Sequence, residues 1–555
     1  MGQVPAWGTI PRMLRDQAAR RGDALAVADG PIRLRLGQLR RQATEGARAL
    51  IAMGVQPGDR VAIMIPNGFR WVISAFAVWD TGAVIVPVPA GLTGAQARQV
   101  LEKTQASVLL TCDDVGRAAP PTVLAQACGE PIAGRPYAGL PDLRTVVVFG
   151  DLPTPRTAHE ARRPGTWRLH NFLAQGASVA PRVAEQRALA VQSADLCEIL
   201  STPGADGGQS CVMLDHAQLL RASWDWSEIA TLDEGDRFPA IAPFSHWSGL
   251  NAGLLACVLK GATILPVAAF DPAALTDLID RQQASLLAGP PSLFYRLLNQ
   301  PPRTPSNLSS LRVATCGAPG VPPELIGRLL AETGVRRVIN SYGLIESPLV
   351  AMTRADDPID VIAATVGRAV PGMVVKIVDA AGAEVPTAML GEIVVGGYGV
   401  MRGYWQDGEQ TARALDADGF LHTGDIGMLD DRGNLAIVDR KRDVFIVAGL
   451  YAYPAEIEAL LLFSGGLAHA AVIGVLDPVL GEVGWAFVVP RPGAVVDAGA
   501  LISWARRNMA DHQVPRRIII VDSLPLNPDG DIDKDALRRR ASASEPAASL
   551  PHQRP

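Results

Sequence analysis

The sequence predicts an α/β protein with a large N-terminal and a small C-terminal domain, and three observations support this fold class. A chain of 555 residues with 48% apolar and 19% charged residues can bury a large core but is too long for one compact domain. Continuous apolar runs of strand length alternate with helical segments, which is typical of a doubly wound sheet covered on both faces. A shorter α+β pattern follows from about residue 444.

Charge and composition exclude several classes of partner. The net charge of −5 gives no basic field for nucleic acid or an anionic membrane surface. The six cysteines are scattered, without a C-x-x-C pair or metal-ligand spacing, so we expect reduced thiols. No uncharged apolar run reaches the roughly 18 residues of a membrane span, and the first residues do not resemble a signal peptide. We therefore expect a soluble, cytoplasmic protein.

The elements of the large domain follow in chain order. Residues 11–55 predict two helices separated by a hairpin-like turn at Asp29-Gly30. The apolar run 60–65 predicts a strand buried on both faces. Residues 112–190 are rich in Pro, Gly and Arg and predict connections between elements. Further elements are expected as a helix at 71–81 and strands at 83–88, 108–111 and 145–149.

The second half of the chain predicts a β subdomain and then the small domain. Alternating residues at 391–396 indicate strands of the subdomain. The small domain, 444–540, begins with a strand. Its later elements are expected as helices at 455–462 and 500–509 and strands at 470–475, 484–489 and 517–521.

Several short stretches carry residues suited to chemistry. Residues 195–216 form a strand, a glycine-containing turn and a second strand, and such turns bring backbone N–H groups close to phosphate. The strand 311–316 leads into Gly317, Ala318 and Pro319, where small residues allow a flat ligand to approach the backbone. The other stretches are PFSHWSG (243–249), SYGLIE (341–346), TGD (423–425), DRKRD (439–443), GLYAYPAEIE (449–458) and PLNPDGDIDK (525–534).

In order and spacing, these stretches resemble the motifs of the adenylate-forming superfamily, which includes acyl-CoA ligases, luciferases and peptide-synthetase adenylation domains. The resemblance runs from about Pro11 to Arg540. It implies a large AMP-binding and acyl-binding domain at 1–439, a hinge at 440–443 with Arg442 as its pivot, and a small C-terminal domain at 444–540 that rotates between two half-reactions. Residues 541–555 predict a disordered tail.

The resemblance also assigns the nucleotide site. Tyr342 is expected to stack on adenine, Asp425 to bind the ribose hydroxyls, and Glu346 to hold Mg²⁺ on the phosphates. Ile345 stands where a threonine normally offers its hydroxyl to the α-phosphate. Arg440 is assigned to the ribose or α-phosphate. The remaining cofactor-binding residues are Gly317, Ala318, Pro319, Ser341 and Gly343.

A second group of residues is assigned to the acid and the thiol. By resemblance, His246 and Trp247 form the wall between the acyl pocket and the pantetheine channel, with Gly249 and Gly253 beside that pocket. Gly449 is expected in the pantetheine tunnel, where a side chain would block the thiol. From these residues alone, a core histidine packed beside a tryptophan is the simpler interpretation of the 243–249 stretch.

Two stretches depart from the family pattern. Pro203, Ala205-Asp206 and Ser210 replace the serine, two threonines and lysine that usually surround the β- and γ-phosphates. One Asp about 5 Å from one phosphate charge costs roughly 3 kcal/mol at an effective dielectric near 20. Asp531 replaces the lysine that bridges the carboxylate and the α-phosphate, a donor worth on the order of 3 to 4 kcal/mol.

These departures share a direction, because they weaken adenylation and leave the thiol side intact. The leading hypothesis is a ligase of secondary metabolism that converts a preformed acyl-adenylate and CoA to acyl-CoA and AMP. A separate adenylating enzyme would supply the acyl-adenylate. This hypothesis leaves a role for ATP and Mg²⁺ in doubt. One alternative is a complete ATP-dependent carboxylic acid–CoA ligase with a rebuilt phosphate loop. The other is a non-catalytic acyl or nucleotide sensor.

Overall fold

The computed structural model describes most of the chain, and its contacts divide the chain into two units. The described residues are 6–113, 120–129, 131, 135–150, 164–203, 209–300, 305–318, 320–440, 442–447, 450–477, 480–526 and 532–544. Unit 1 comprises Met1–Val375, Val394–His422 and Arg432–Leu435, and unit 2 comprises Lys376–Ile393, Thr423–Asp431 and Ala436–Pro555. The domain boundary at 439 and the hinge at 440–443 stay predictions.

The helices of unit 1 flank its sheets. They are α1 (Ile10–Arg21), α2 (Leu36–Ala52), α3 (Phe69–Asp80), α4 (Gly94–Lys103), α5 (Pro120–Cys128), α6 (Leu169–Gln175), α7 (Pro181–Ala190), α8 (His216–Ile229), α9 (Ala256–Lys260), α10 (Pro272–Gln282), α11 (Pro291–Leu298), α12 (Pro323–Glu332), α13 (Ile359–Ala364) and α14 (Gly408–Ala414). A π-helix, Gly249–Leu255, runs directly into α9.

The first sixteen strands belong to unit 1. They are β1 (Leu25–Asp29), β2 (Ile32–Arg35), β3 (Arg60–Met64), β4 (Val84–Pro87), β5 (Val108–Cys112), β6 (Thr145–Phe149), β7 (Thr166–Arg168), β8 (Leu196–Pro203), β9 (Gln209–Asp215), β10 (Arg237–Ala240), β11 (Thr263–Pro266), β12 (Leu286–Ala288), β13 (Val313–Cys316), β14 (Arg337–Tyr342), β15 (Ala351–Met352) and β16 (Arg368–Ala369).

Three sheets organise these strands. A seven-stranded sheet has the order β7-β6-β5-β3-β4-β8-β9, and its neighbours are parallel except for the antiparallel pair β8 and β9. A five-stranded sheet has the order β12-β13-β14-β15-β16, in which the first three strands are parallel. A four-stranded sheet has the order β10-β11-β1-β2. The parallel strands with helical crossovers agree with the predicted doubly wound α/β class.

The next four strands form another sheet, and unit 2 has its own. Strands β17 (Met373–Val378), β18 (Gly391–Gly397), β19 (Leu421–Leu429) and β20 (Leu435–Arg440) pair in that order. The unit 2 strands and helices are β21 (Phe445–Val447), β22 (Leu450–Ala452), α15 (Pro454–Phe463), β23 (Leu467–Asp477), β24 (Gly481–Pro490), α16 (Ala498–Asn508), β25 (Arg517–Ile520) and α17 (Lys534–Ser544). Strands β22, β21, β24 and β23 pair in that order, and β25 adds to β24.

Residues 112–190 contain more regular structure than the sequence predicted. Besides the expected strand β6, the segment forms α5, β7, α6 and α7. Helix α7 buries only Ala184 and Ala188, and such small residues leave little hydrophobic periodicity for a pattern to detect. The expectation of connections alone is therefore corrected for the described part of this segment.

The end of unit 2 also differs from the prediction. Helix α17 runs to Ser544, so residues 541–544 belong to a helix rather than to a disordered tail. Leu537 and Ala541 are only 1% and 2% exposed and join a core cluster that includes Ile473 and Phe487. This burial favours continuing the helix beyond 540. Residues 545–555 lie outside the described part of the chain.

Two expectations from composition can be compared with the structure. All six cysteine side chains are buried, which agrees with reduced thiols in the core. None of the described helices combines the length and the apolar character needed to cross a bilayer.

Strand β8 buries a carboxyl group that makes stability depend on pH. Glu198 is fully buried, and neither carboxylate oxygen has a hydrogen-bond partner among the residues that the structure describes. Desolvation raises the pKa of Glu198 from its ordinary value near 4.5 to about 8. Between pH 4.5 and about 8, the Glu198 carboxyl is protonated in the folded chain and ionised in the unfolded chain. Stability therefore falls as pH rises from about 4.5 to about 8.

Replacing this carboxyl with an amide should remove that dependence. We expect Glu198→Gln to raise the free energy of unfolding by about 2–4 kcal/mol at pH 8 and to change it little at pH 5. Urea denaturation from pH 5 to 8.5 measures the difference, with Glu102→Gln on α4 as the control because Glu102 is exposed. Parallel pH profiles for Glu198→Gln and the native chain would show that the carboxyl is not buried as described.

Candidate functional site

The carboxyl ends of β13 and β14 lie together and hold the residues assigned to adenine. Asn340 joins them, because its Nδ2 donates to the Ala318 carbonyl oxygen at 2.9 Å and its Oδ1 accepts from the Ala318 N–H at 3.3 Å. The Ser341 hydroxyl donates to the Cys316 carbonyl oxygen at 3.0 Å. Tyr342, at the end of β14, is 8% exposed. In parallel sheets such strand ends are where ligands bind.

An open face remains beside these strand ends. Among the described residues, and apart from its two chain neighbours, a Cβ added to Gly317 would meet the Ser341 carbonyl oxygen at 4.0 Å and nothing nearer. A planar group can therefore approach the backbone there. Pro319 lies outside the described residues. The structure thus brings Gly317, Ala318, Ser341 and Tyr342 together, while their role toward adenine stays a prediction.

Glu346 is held by a tyrosine that sequence reasoning did not single out. The Tyr404 hydroxyl donates to Glu346 Oε1 at 2.9 Å, and the Met401 N–H donates to the Glu346 carbonyl oxygen at 2.8 Å. Burial, followed by the negative charge of Glu346, raises the pKa of the Tyr404 hydroxyl, so it remains a donor. Tyr404 lies in the stretch GYW, residues 403–405, and nothing in that stretch indicates a contact with Glu346.

The donor set tests whether Mg²⁺ would fit. Among the described residues, no group of three or more His, Cys, Asp or Glu side chains could hold a metal ion. Mg²⁺ commonly uses one or two carboxylates together with substrate phosphates and water. Glu346 alone fits that arrangement when a nucleotide supplies the other oxygens.

His246 presents one ring nitrogen to its own turn. Its Nδ1 lies 2.8 Å from the Ser248 Oγ and 3.3 Å from the Ser248 N. An acceptor role for Nδ1 places the proton of the neutral ring on Nε2, an assignment made from these partners. The His246 and Trp247 ring centroids are 5.7 Å apart. In this tautomer Nε2 carries the N–H of the ring.

The glycines assigned to the acyl pocket allow close packing. A Cβ at Gly249 would lie 2.1 Å from the Pro243 carbonyl oxygen, and one at Gly253 would lie 3.3 Å from the Ala240 Cβ. A Cβ at Gly343 would lie 2.3 Å from the Pro348 carbonyl oxygen and 3.2 Å from Trp247 Cη2. Trp247 is thus beside the SYGLIE stretch. The assignment of Gly249 and Gly253 to an acyl pocket stays a prediction.

In unit 2, Asp425 and Arg440 come close to each other. The Thr423 hydroxyl donates to the Ile393 carbonyl oxygen at 2.7 Å and accepts from the Asp425 N–H at 3.1 Å, which fixes the turn at Gly424. Asp425 is 9% exposed, and its Oδ1 lies 4.0 Å from Arg440 Nε. A carboxylate beside a half-exposed guanidinium suits vicinal hydroxyls next to a phosphate.

Asp439 connects the predicted hinge to α15. Its Oδ1 accepts from the Arg440 N–H and its Oδ2 from the Ala455 N–H, both at 2.8 Å. Burial raises the pKa of the Asp439 carboxyl. Arg442, the predicted pivot, is exposed. These bonds tie Arg440 to the first turn of α15 within unit 2.

Part of the altered phosphate stretch is described. Ser210, which replaces the usual lysine, is 7% exposed, and its Oγ accepts from Gln410 Nε2 at 2.8 Å. Ser210 is therefore held by α14. The side chain of Pro203 and residues Ala205 and Asp206 lie outside the described part of the chain, so the predicted charge inversion there is untested.

The structure shows where the neighbouring lysine of the last motif is held. Lys534 Nζ lies 2.8 Å from Glu458 Oε1, and the two side chains are 15% and 16% exposed. Glu458 Oε1 also accepts from the Val472 N–H at 2.7 Å. This pair engages the Lys534 cation within unit 2. Asp531 and Gly449 themselves lie outside the described residues.

Comparisons with known proteins identify the family. A model of the AMP-binding enzyme matches residues 14–405, and a model of the AMP-binding enzyme C-terminal domain matches residues 456–530. The chain belongs to the AMP-binding enzyme family. The resemblance to adenylate-forming enzymes and the predicted fold class are thereby confirmed.

The relatives of this AMP-binding enzyme include CoA ligases. It is 38% identical to the 3-[(3aS,4S,7aS)-7a-methyl-1,5-dioxo-octahydro-1H-inden-4-yl]propanoyl:CoA ligase of Rhodococcus jostii (strain RHA1), covering 96% of this chain and 98% of that protein. It is 39% identical to the ligase of the same name from Mycobacterium tuberculosis (strain ATCC 25618 / H37Rv), with the same coverage. It is 32% identical to feruloyl-CoA synthase of Amycolatopsis sp, covering 93% and 96%. The predicted acyl-CoA ligase class is supported.

Solved structures agree with this assignment. ATP-bound MatB from Rhodopseudomonas palustris matches with a TM-score of 0.78 and 25% identity, covering 96% of this chain and 98% of that one. The anthranilate CoA ligase AuaEII in complex with anthranoyl-AMP shares the fold, with a TM-score of 0.80, 22% identity and coverage of 98% and 99%. These neighbours do not support the predicted doubt about ATP and Mg²⁺, nor thioesterification as the only reaction.

The close approach at Gly343 yields a prediction for this AMP-binding enzyme. Gly343→Ala should lower stability by about 1–3 kcal/mol through overpacking and reduce kcat/KM for CoA ligation, because the new methyl displaces Trp247. Thermal denaturation and steady-state kinetics measure both effects. Gly327→Ala on α12 is the matched control, since no atom lies within 4 Å of its added Cβ. Equal behaviour of the two variants would contradict the described packing.

The buried pair in unit 2 yields another prediction. Burial already raises the pKa of the Glu458 carboxyl, so Lys534→Met leaves this group without its cation. We expect a loss of about 3–5 kcal/mol in unit 2 at pH 7, measured by urea denaturation. Lys376→Met is the control, because the Lys376–Glu384 pair is exposed and 3.8 Å apart. A similar small loss in both variants would mean that Lys534 is available for other contacts.

Proposed function

We propose that this chain is a complete carboxylic acid–CoA ligase, which joins a bulky alicyclic acid to CoA and converts ATP to AMP and pyrophosphate. The proposal rests on the similarity of the chain to two CoA ligases, with 38% and 39% identity over 96% of the chain. The printed names of both ligases describe an acid in which a propanoyl chain is attached to a bicyclic diketone. Matches of this extent include both the nucleotide-binding and the C-terminal regions. A reaction of two half-steps needs both.

The first half-step would form the acyl-adenylate. The acid carboxylate attacks the α-phosphorus of ATP, and the bond to pyrophosphate breaks. Tyr342 and the strand ends at Gly317 suit adenine, and Asp425 with Arg440 suits the ribose and phosphate. When bound, Mg²⁺ supplies charge neutralisation, and Glu346 is the carboxylate that would hold it.

The second half-step would transfer the acyl group. The CoA thiol, losing its proton, attacks the carbonyl carbon of the mixed anhydride, and AMP leaves. His246 is the side chain assigned by resemblance to the wall between the acyl pocket and the pantetheine channel, and Ser248 orients its ring through Nδ1. Positioning suffices without a protein nucleophile.

A second candidate is the thioesterification of a preformed acyl-adenylate without adenylation. Specific observations favour it: Ser210 stands in place of a lysine and is bonded to Gln410, and Lys534, close to Asp531, is paired with Glu458. In this arrangement neither position offers a cation to the phosphates. A separate adenylating enzyme would then supply the substrate.

One experiment separates these functions. The full-length protein is given 3-cyclohexylpropanoate with ATP, Mg²⁺ and CoA, or synthetic 3-cyclohexylpropanoyl-AMP with CoA, and pyrophosphate and acyl-CoA are measured. We expect product from both mixtures, with pyrophosphate equal to acyl-CoA in the first. Product from the acyl-adenylate alone would replace the proposal with the second candidate. No product from either mixture would indicate a non-catalytic protein.

Two variants and an acid panel sharpen the result. Asp531→Lys should increase the rate of pyrophosphate release about tenfold or more by restoring a donor to the developing charge, whereas the exposed control Asp511→Lys should not.

Among acids, kcat/KM should decrease from 3-cyclohexylpropanoate to ferulate to malonate. A preference for malonate would contradict the bulky alicyclic substrate.

A further inference from the structure

An open cavity of about 620 Å³ lies in unit 1, away from the residues assigned to the nucleotide and the thiol. One wall is the first half of α8, which contributes Leu220 and Arg221. The segment 397–402 also lines the cavity and contributes Val400 and Arg402. The volume of the cavity lies within the range of about 300–1,000 Å³ that is usual for small-molecule sites. The lining combines two guanidinium groups with apolar side chains.

Arg221 is fixed in its orientation. Its Nε donates to Asp225 Oδ2 at 2.8 Å, and its guanidinium lies 5.2 Å from the centre of the Tyr398 ring. The Tyr398 hydroxyl donates to the same Asp225 oxygen at 2.8 Å. Asp225 is only 3% exposed, whereas the Arg221 side chain is 36% exposed. The cation therefore faces the cavity and its counter-charge lies behind it.

Arg402 is arranged in a similar way. Its Nη1 lies 3.3 Å from Asp215 Oδ2, and the side chain is 51% exposed while that of Asp215 is 6% exposed. Asp215 is already occupied as the cap of α8, because its Oδ1 accepts from the Gln218 N–H at 2.9 Å. Among the described residues of the lining, Arg221 and Arg402 are the cations and Asp215 is the anion. Each cation is paired with a carboxylate, but the guanidinium group is the more exposed member of both pairs, so an anionic group would meet the cations first.

The segment 397–402 separates this cavity from the candidate nucleotide motif. Met401, between two lining residues, is 3% exposed, and its N–H donates to the Glu346 carbonyl oxygen. Val400 faces the cavity, and its carbonyl oxygen accepts from Gln218 Nε2. One side of the segment thus holds Glu346 while the other lines the cavity. A ligand here would not occupy the place of the reacting groups.

We propose that this cavity binds an amphipathic organic carboxylate at a second site. The carboxylate pairs with Arg402, the more exposed of the two cations, whose guanidinium geometry suits such a group. Arg221 adds a second cation to the lining, and the apolar body packs on Leu220 and Val400. A free acid of the proposed substrate class and an unrelated fatty acid share this chemistry. The site requires neither ATP nor CoA, so its test is independent of the proposed function.

Calorimetric titration of the full-length protein without nucleotide tests the site. The ligands are 3-cyclohexylpropanoate, decanoate, the neutral 3-cyclohexylpropanamide and inorganic phosphate. We expect a binding component for at least one carboxylate that weakens at least fivefold in Arg402→Gln and in Arg221→Gln. Binding of 3-cyclohexylpropanoate identifies the substrate class, and binding of decanoate alone identifies a fatty acid.

Matched variants make the result decisive. Arg328→Gln on α12 removes another surface arginine, paired with Glu332 at 2.7 Å, and should leave the component unchanged. Trp247→Ala should also retain it, because Trp247 is not part of the cavity. Arg402 is half exposed, so its variant should fold even where Arg221→Gln does not. Equal affinity in Arg402→Gln and Arg328→Gln, equal binding of the amide, or binding of phosphate alone would each overturn the proposal.

Discussion

The candidate site of unit 1 depends on the hydrogen bonds of one buried side chain, Asn340. It is fully buried, and its Nδ2 donates to the carbonyl oxygens of Ala318 and Thr365 at 2.9 and 3.0 Å. Its own N–H donates to the Thr353 hydroxyl at 2.8 Å. A single amide thus joins β14 to the turn after β13 and to the chain beyond α13. These bonds satisfy buried backbone groups of Ala318 and Thr365 next to Gly317.

Two polar interactions near the altered motifs stabilise the fold itself. Lys534 compensates the buried Glu458, and Gln410 holds Ser210. Neither interaction involves a ligand. Lys534 therefore stabilises unit 2, and Gln410 holds Ser210 within unit 1, without any contribution from a nucleotide.

The sequence predicted the fold class and the grouping of motif residues, because strand ends, glycine turns and charged motifs leave local signals. Helix α7 was missed because Ala184 and Ala188 are its buried residues, and a pattern search detects large apolar side chains. Tyr404 was missed because its contact with Glu346 joins positions 58 residues apart. The sequence could not predict how Gly249 and Gly253 pack. A glycine can border open space or allow close contact with a neighbouring residue, and only the structure shows which of the two applies.

The two guanidinium groups of the cavity in unit 1 are also held in place by contacts within the fold. Arg221 and Arg402 each lie in front of a buried carboxylate, Asp225 and Asp215, and a cation anchored on one side loses little further freedom when an anion binds on the other. Both carboxylates have structural partners of their own, Tyr398 and the first turn of α8. Their positions are consequently fixed by the fold rather than by a ligand.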